Sequence, residues 1–86
     1  MEMCYFTYIL KSESTDQLYI GSTNNLEDRI QRHNEGRNLY SKGRGPWVLL
    51  YSIKFETRGE AVLLEQFLKK KKSKIRVIEW IASQPG

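Results

Sequence analysis

Tyr8-Ile9-Leu10, then a polar loop, then Leu18-Tyr19-Ile20-Gly21-Ser22, then a helical pattern carrying Arg29 and His33, is the stretch that decides how this chain folds. The run from Cys4 to Leu10 is rich in aromatic and β-branched residues, and so is Gln17 to Ile20. The polar Ser12-Glu13-Ser14-Thr15-Asp16 between them reads as a turn, so the two runs form an antiparallel hairpin with Tyr8 and Tyr19 on neighbouring strands. Gly21 closes the second strand with a position that lets backbone or ligand approach closely, and Asn24 or Asn25 can cap the helix that follows. Leu26 and Ile30 share the inner stripe of that helix and Gly36 stops it. Arg29 and His33, four residues apart, are neighbours on one helical face, with His33 in the last turn where the helix dipole favours an imidazolium.

Outward from this stretch, the first strand is apolar on both faces, Cys4, Phe6, Tyr8 and Leu10 on one and Tyr5, Thr7 and Ile9 on the other, which fits a central strand. Arg37 to Pro46 mixes glycine and proline with cations, and Arg37, Lys42 and Arg44 there are the better phosphate-contact candidates. Trp47 to Phe55 is the third strand, with Trp47, Leu49, Tyr51, Ile53 and Phe55 at alternate positions and therefore expected on one face. Thr57-Arg58-Gly59-Glu60 has the form of a capping box, followed by Ala61, Leu64 and Leu68 at helical spacing, with Leu63 and Phe67 widening the stripe. Ser73 can cap a last helix in which Ile75, Ile78 and Ala82 point inward beside Val77, Trp80 and Ile81. At roughly 100° per residue Glu65 falls on the rim of the preceding helix's apolar stripe, where a carboxylate is more often paired with a nearby cation than with a metal. Lys69 to Lys72 at that helix's end are expected from the dipole as much as from any ligand. Trp47 and Trp80 read as core residues.

The expected fold is thus α+β, a small three-stranded antiparallel sheet flanked by about three helices in the order β-β-α-β-α-α. With 86 residues the chain is expected to form one domain over residues 1–82 and a short tail over 83–86, and any site on so small a body is open and shallow. A net charge of +4 favours a polyanionic partner, although charge alone fits nucleic acid, an acidic protein or an anionic membrane surface. One cysteine excludes an intramolecular disulfide and, with one histidine, the four-ligand zinc patterns. A reducing cytoplasm is the natural setting, since neither a targeting segment nor a membrane-spanning run is evident.

The ordered set of Tyr8, Tyr19-Ile20-Gly21, Arg29, His33 and Glu65 resembles the GIY-YIG nuclease superfamily, and the resemblance covers nearly the whole chain. In size the chain looks like the small stand-alone branch, similar to the GIY-YIG nuclease domain of the bacterial excision-repair machinery without the other domains found there. It departs from the family pattern at Phe6-Thr7-Tyr8, which lacks the leading glycine and isoleucine, and at Ser22, where the repair nucleases carry a lysine. The resemblance implies a divalent-metal-dependent endonuclease that hydrolyses DNA phosphodiesters in repair or other nucleic-acid processing, with RNA also open as a partner. Carried over by position, Tyr8 or Tyr19 would be the base if Arg29 or a cation lowers its pKa, Arg29 would hold the scissile phosphate, and His33 would assist. Glu65 would bind one Mg²⁺ or Mn²⁺ whose remaining positions are filled by water. The alternative on the same fold is a non-catalytic nucleic-acid-binding module.

Overall fold

A computed structural model describes residues 4–36 and 43–85. In chain order it has β1 (Tyr5–Ser12), β2 (Leu18–Thr23), α1 (Leu26–Asn34), β3 (Trp47–Phe55), α2 (Arg58–Lys69) and α3 (Lys74–Ala82), the expected order of elements. All strand pairing is antiparallel and β1 is central, with β2 and β3 as the two edges. Each helix starts on a side-chain cap. Asn25, rather than Asn24, accepts from the Asp28 amide, Thr57 accepts from the Glu60 amide and Ser73 from the Arg76 amide. Gly36, at φ +74°, takes the left-handed turn that ends α1.

The helices sit on both faces of the sheet. Tyr8, Leu10 and Trp47 form a buried cluster with Tyr19, and Leu26 and Ile30 of α1 pack against it. On the opposite face Ile9 meets Leu68 of α2 and Val77 of α3, with Tyr51, Leu64, Trp80 and Ile81 around them. Thr7 Oγ1 donates to the Ala61 carbonyl at 2.7 Å, which fastens the start of α2 to the central strand.

Three packing expectations are corrected. Alternation along β3 breaks where Leu10 pairs with Leu49 but Ile9 pairs with Tyr51, leaving Leu50 as an extra residue. Because side chains alternate with period two, one inserted residue reverses every face beyond it, so Trp47 and Leu49 lie on the α1 side and Tyr51, Ile53 and Phe55 on the other. In α3 the inward residues are Val77, Trp80 and Ile81, whereas Ile75 is 71% exposed and Ile78 and Ala82 are also exposed. Both stripes have helical spacing, and docking beside Leu68 selects the one carrying the aromatic ring. Leu63 and Phe67 likewise face outward.

Candidate active site

Tyr8 lies directly opposite Gly21 across the β1–β2 ladder. A Cβ at Gly21 would sit 2.6 Å from the Tyr8 hydroxyl and 2.8 Å from the carbon bearing it, so the phenol head occupies the space a side chain would fill. Tyr19, on the same face, stacks on Tyr8 with ring centroids 6.1 Å apart. His33 closes the group, its ring 4.3 Å from Tyr19 and its Nε2 3.4 Å from the Tyr8 hydroxyl. Trp47 packs 5.9 Å from His33 and 6.4 Å from Tyr19, placed there by the Leu50 bulge. Thus β1, β2, β3 and α1 each supply one ring.

Burial governs the protonation of this cluster. Tyr8 is 1% exposed, and desolvation, reinforced by neighbouring Tyr19, holds its hydroxyl well above the ordinary tyrosine range; the Arg29 charge opposes the shift and the Glu65 charge adds to it. Tyr8 is therefore a protonated donor at neutral pH in the free protein, where the Arg29 charge by itself does not lower its pKa as a base role requires. His33 is also 1% exposed, and burial, with a smaller push from Arg29, lowers its pKa. The imidazolium expected at the helix C-terminus is thus a neutral ring, because losing water outweighs the gain from the dipole. A lowered folded-state pKa means that the unfolded chain binds the proton more readily, so this contribution to stability is complete above the unfolded value, 6.5, and is lost as pH falls through the folded one. The melting temperature should accordingly decline on acidification below about pH 6.5, with a flatter profile in His33→Gln. Equal slopes in thermal melts of the two proteins would contradict the assignment.

Arg29, half-buried on α1, lies close enough to act electrostatically on both Tyr8 and His33, and its Nε is buried without a hydrogen-bond partner. It lines a small cleft of about 110 Å³ together with Ser22, Thr23, Asn24 and Arg58. Ser22 stands opposite Thr7, on the α2 side of the sheet, and its hydroxyl donates to Glu65 Oε1 at 2.7 Å. The second carboxylate oxygen of Glu65 accepts from Lys69 at 2.6 Å, the cation pairing expected of a rim carboxylate. The rings and Arg29 thus reach Glu65 around the outer edge of β2, with Ser22 as the link, rather than across one face of the sheet.

Among the described residues no group of three or more His, Cys, Asp or Glu side chains could hold a metal ion. One carboxylate, itself held by Ser22 and Lys69, suits only a magnesium-type ion whose shell is completed by substrate phosphate and water. Arg37 and Lys42 lie outside the described residues. Arg44 is held by its backbone carbonyl, which accepts from Ser12 and Ser14 at the β1–β2 turn, and it does not line the Arg29 cleft. Sequence reasoning missed Arg58, which carries no signal beyond its place in a capping box, and saw Ser22 only as a departure from a pattern. The sequence predicts a nearby cation for Glu65 without naming it, and the spacing of four is the signal that points to Lys69.

No helix of the described residues is long and apolar enough to cross a membrane. Residues 4–77 match the family model described as the GIY-YIG catalytic domain. Among similar proteins, a UPF0213 protein of Oceanobacillus iheyensis is 39% identical over 83 residues, covering 93% of this chain and 95% of its own. A UPF0213 protein of Clostridium perfringens is 47% identical over 66 residues, covering 76% of this chain and 70% of its own. The solution NMR structure of a UPF0213 protein from Bacillus halodurans superimposes with a TM-score of 0.60 at 28% identity, over 98% of this chain and 88% of that one. With its motif residues gathered around the edge of β2, this chain belongs to the GIY-YIG family.

Proposed function

We propose that this protein is a divalent-metal-dependent endonuclease that hydrolyses phosphodiester bonds in DNA, in repair or another nucleic-acid process. The observation that carries the reading is the convergence of a stacked tyrosine pair, an arginine with an unsatisfied Nε and a serine-held carboxylate around one strand edge. Arg29 presents its guanidinium to the phosphate and stabilises charge growing on the equatorial oxygens. Tyr8, fixed as a donor, orients water or a phosphate oxygen, and neutral His33 holds the Tyr8 hydroxyl in place. Tyr19, less buried than Tyr8, is the tyrosine left to take, as its phenolate, the proton of the attacking water. Water adds to phosphorus as the bond to the 3′ oxygen breaks, and a proton returns to that oxygen. A Mg²⁺ or Mn²⁺ ion held by Glu65 would supply Lewis-acid stabilisation of the departing oxygen. Lys69 must then give up Glu65 and turn to phosphate.

Incubation of purified protein with labelled DNA and Mg²⁺ or Mn²⁺ tests the proposal. Cleavage should require the metal and should fall about a hundredfold or more in Glu65→Gln. Equal cleavage by wild type and Glu65→Gln would trace the activity to a contaminant. The Lys69–Glu65 ion pair favours a second reading, a nucleic-acid-binding module without catalysis. Salt-dependent DNA binding with no metal-dependent cleavage of any substrate would select it.

A further inference from the structure

A cleft of about 600 Å³ runs along the free edge of β2 where that edge faces the junction of α2 and α3. Its floor is apolar, built from Leu18, Ile20, Leu68 and Val77, and its rim carries Lys69, Lys72 and Lys74. Tyr19 forms one wall and Lys69 is the residue bound to Glu65, so the cleft abuts the candidate active site. We propose that it is a nucleotide subsite that holds the substrate strand beside the scissile phosphate, with a base on the apolar floor and its phosphate on the lysine rim. This rests on the nuclease reading for the identity of the strand.

Size separates the two openings. A volume of about 600 Å³ lies within the roughly 300–1,000 Å³ typical of small-molecule sites, whereas the Arg29–Arg58 cleft, at about 110 Å³, admits little more than phosphate oxygens. Charge then singles out Lys72. Lys74 is ion-paired with Asp16 and Lys69 with Glu65, but among the described residues Lys72 has no carboxylate partner. Lys72 also stands at φ +50°, a left-handed conformation uncommon for a residue with a side chain, where the helix end turns toward α3. A lysine at the rim of an apolar cleft, without a carboxylate partner among the described residues, suits an incoming phosphate.

Lys72→Gly is the informative variant, since glycine accepts that backbone conformation and the fold is retained. Lys70→Ala, on the same lysine run but outside the cleft lining, is the control. Binding of a labelled single-stranded oligonucleotide, followed by fluorescence anisotropy in EDTA over a range of salt, should weaken about fivefold at roughly 0.1 M salt in Lys72→Gly, with the salt slope reduced by about 0.7. Lys70→Ala should differ little from wild type. In NMR titration with a dinucleotide, the methyl groups of Leu18, Ile20 and Val77 should shift. The proposal is overturned if the two variants bind alike, if the shifts fall on another surface, or if a free mononucleotide binds as tightly as the oligonucleotide. Binding in the cleft without cleavage under any metal would sustain the subsite and end the nuclease reading. Cleavage with unchanged oligonucleotide affinity in Lys72→Gly would do the reverse.

Discussion

Gly21→Ala should abolish cleavage and destabilise the fold together. The added Cβ would lie 2.6 Å from the Tyr8 hydroxyl and 3.1 Å from an edge carbon of the Tyr19 ring, so one methyl group intrudes on both tyrosines. Tyr8 has nowhere to retreat, being 1% exposed and packed against Leu10 and Trp47. Overpacking of this kind costs about 1–3 kcal/mol, and a shift of roughly 1 Å in a catalytic group costs about a hundredfold in rate. Thermal melts and cleavage rates should therefore both drop. The matched control is Gly59→Ala, where nothing lies within 4 Å of the new Cβ and α2 gains a better helix former. It should be neutral or stabilising by up to about 1 kcal/mol. Normal activity in Gly21→Ala would show that the Tyr8 hydroxyl does not need its position over β2.

Arg29→Lys should separate activity from stability. It keeps the charge but loses the planar fork, and Arg29 already leaves a buried Nε without a partner, an arrangement suited to a ligand more than to the resting fold. The rate should fall about a hundredfold or more, the scale seen when one donor to a developing anion is removed, while the melting temperature stays level or rises. A loss of stability with full activity would make Arg29 a structural residue. In Arg29→Ala the His33 ring should also titrate at higher pH, since one cause of its lowered pKa is removed.

Much of this site was legible because local rules place it. Alternation and a turn put Tyr8 and Tyr19 on paired strands, and a spacing of four put Arg29 beside His33. Local rules made Glu65 only a rim residue at helical phase, and the family resemblance alone tied it to the site, since no local rule says which sheet edge α2 will cross. The protonation states were not legible, because His33 and Tyr8 are set by desolvation inside a cluster drawn from four elements. Nor was the inward face of α3, whose two apolar stripes are distinguished only by what Leu68 offers them. The bulge was hidden for a related reason: Val48, Leu49 and Leu50 are all apolar, so no polar residue marks where the alternation slips.

That slip at Leu50 divides one strand between two neighbourhoods. Trp47 takes part in the ring cluster on the α1 side, while Tyr51, four residues on, belongs to the layer beneath α2 and α3 and meets Trp80 edge-on at 5.6 Å. Among the described residues the two positions belong to separate clusters, so their energetic effects should add rather than couple. Selection could then retune the chemistry on one side of the sheet while the foundation on the other drifts independently.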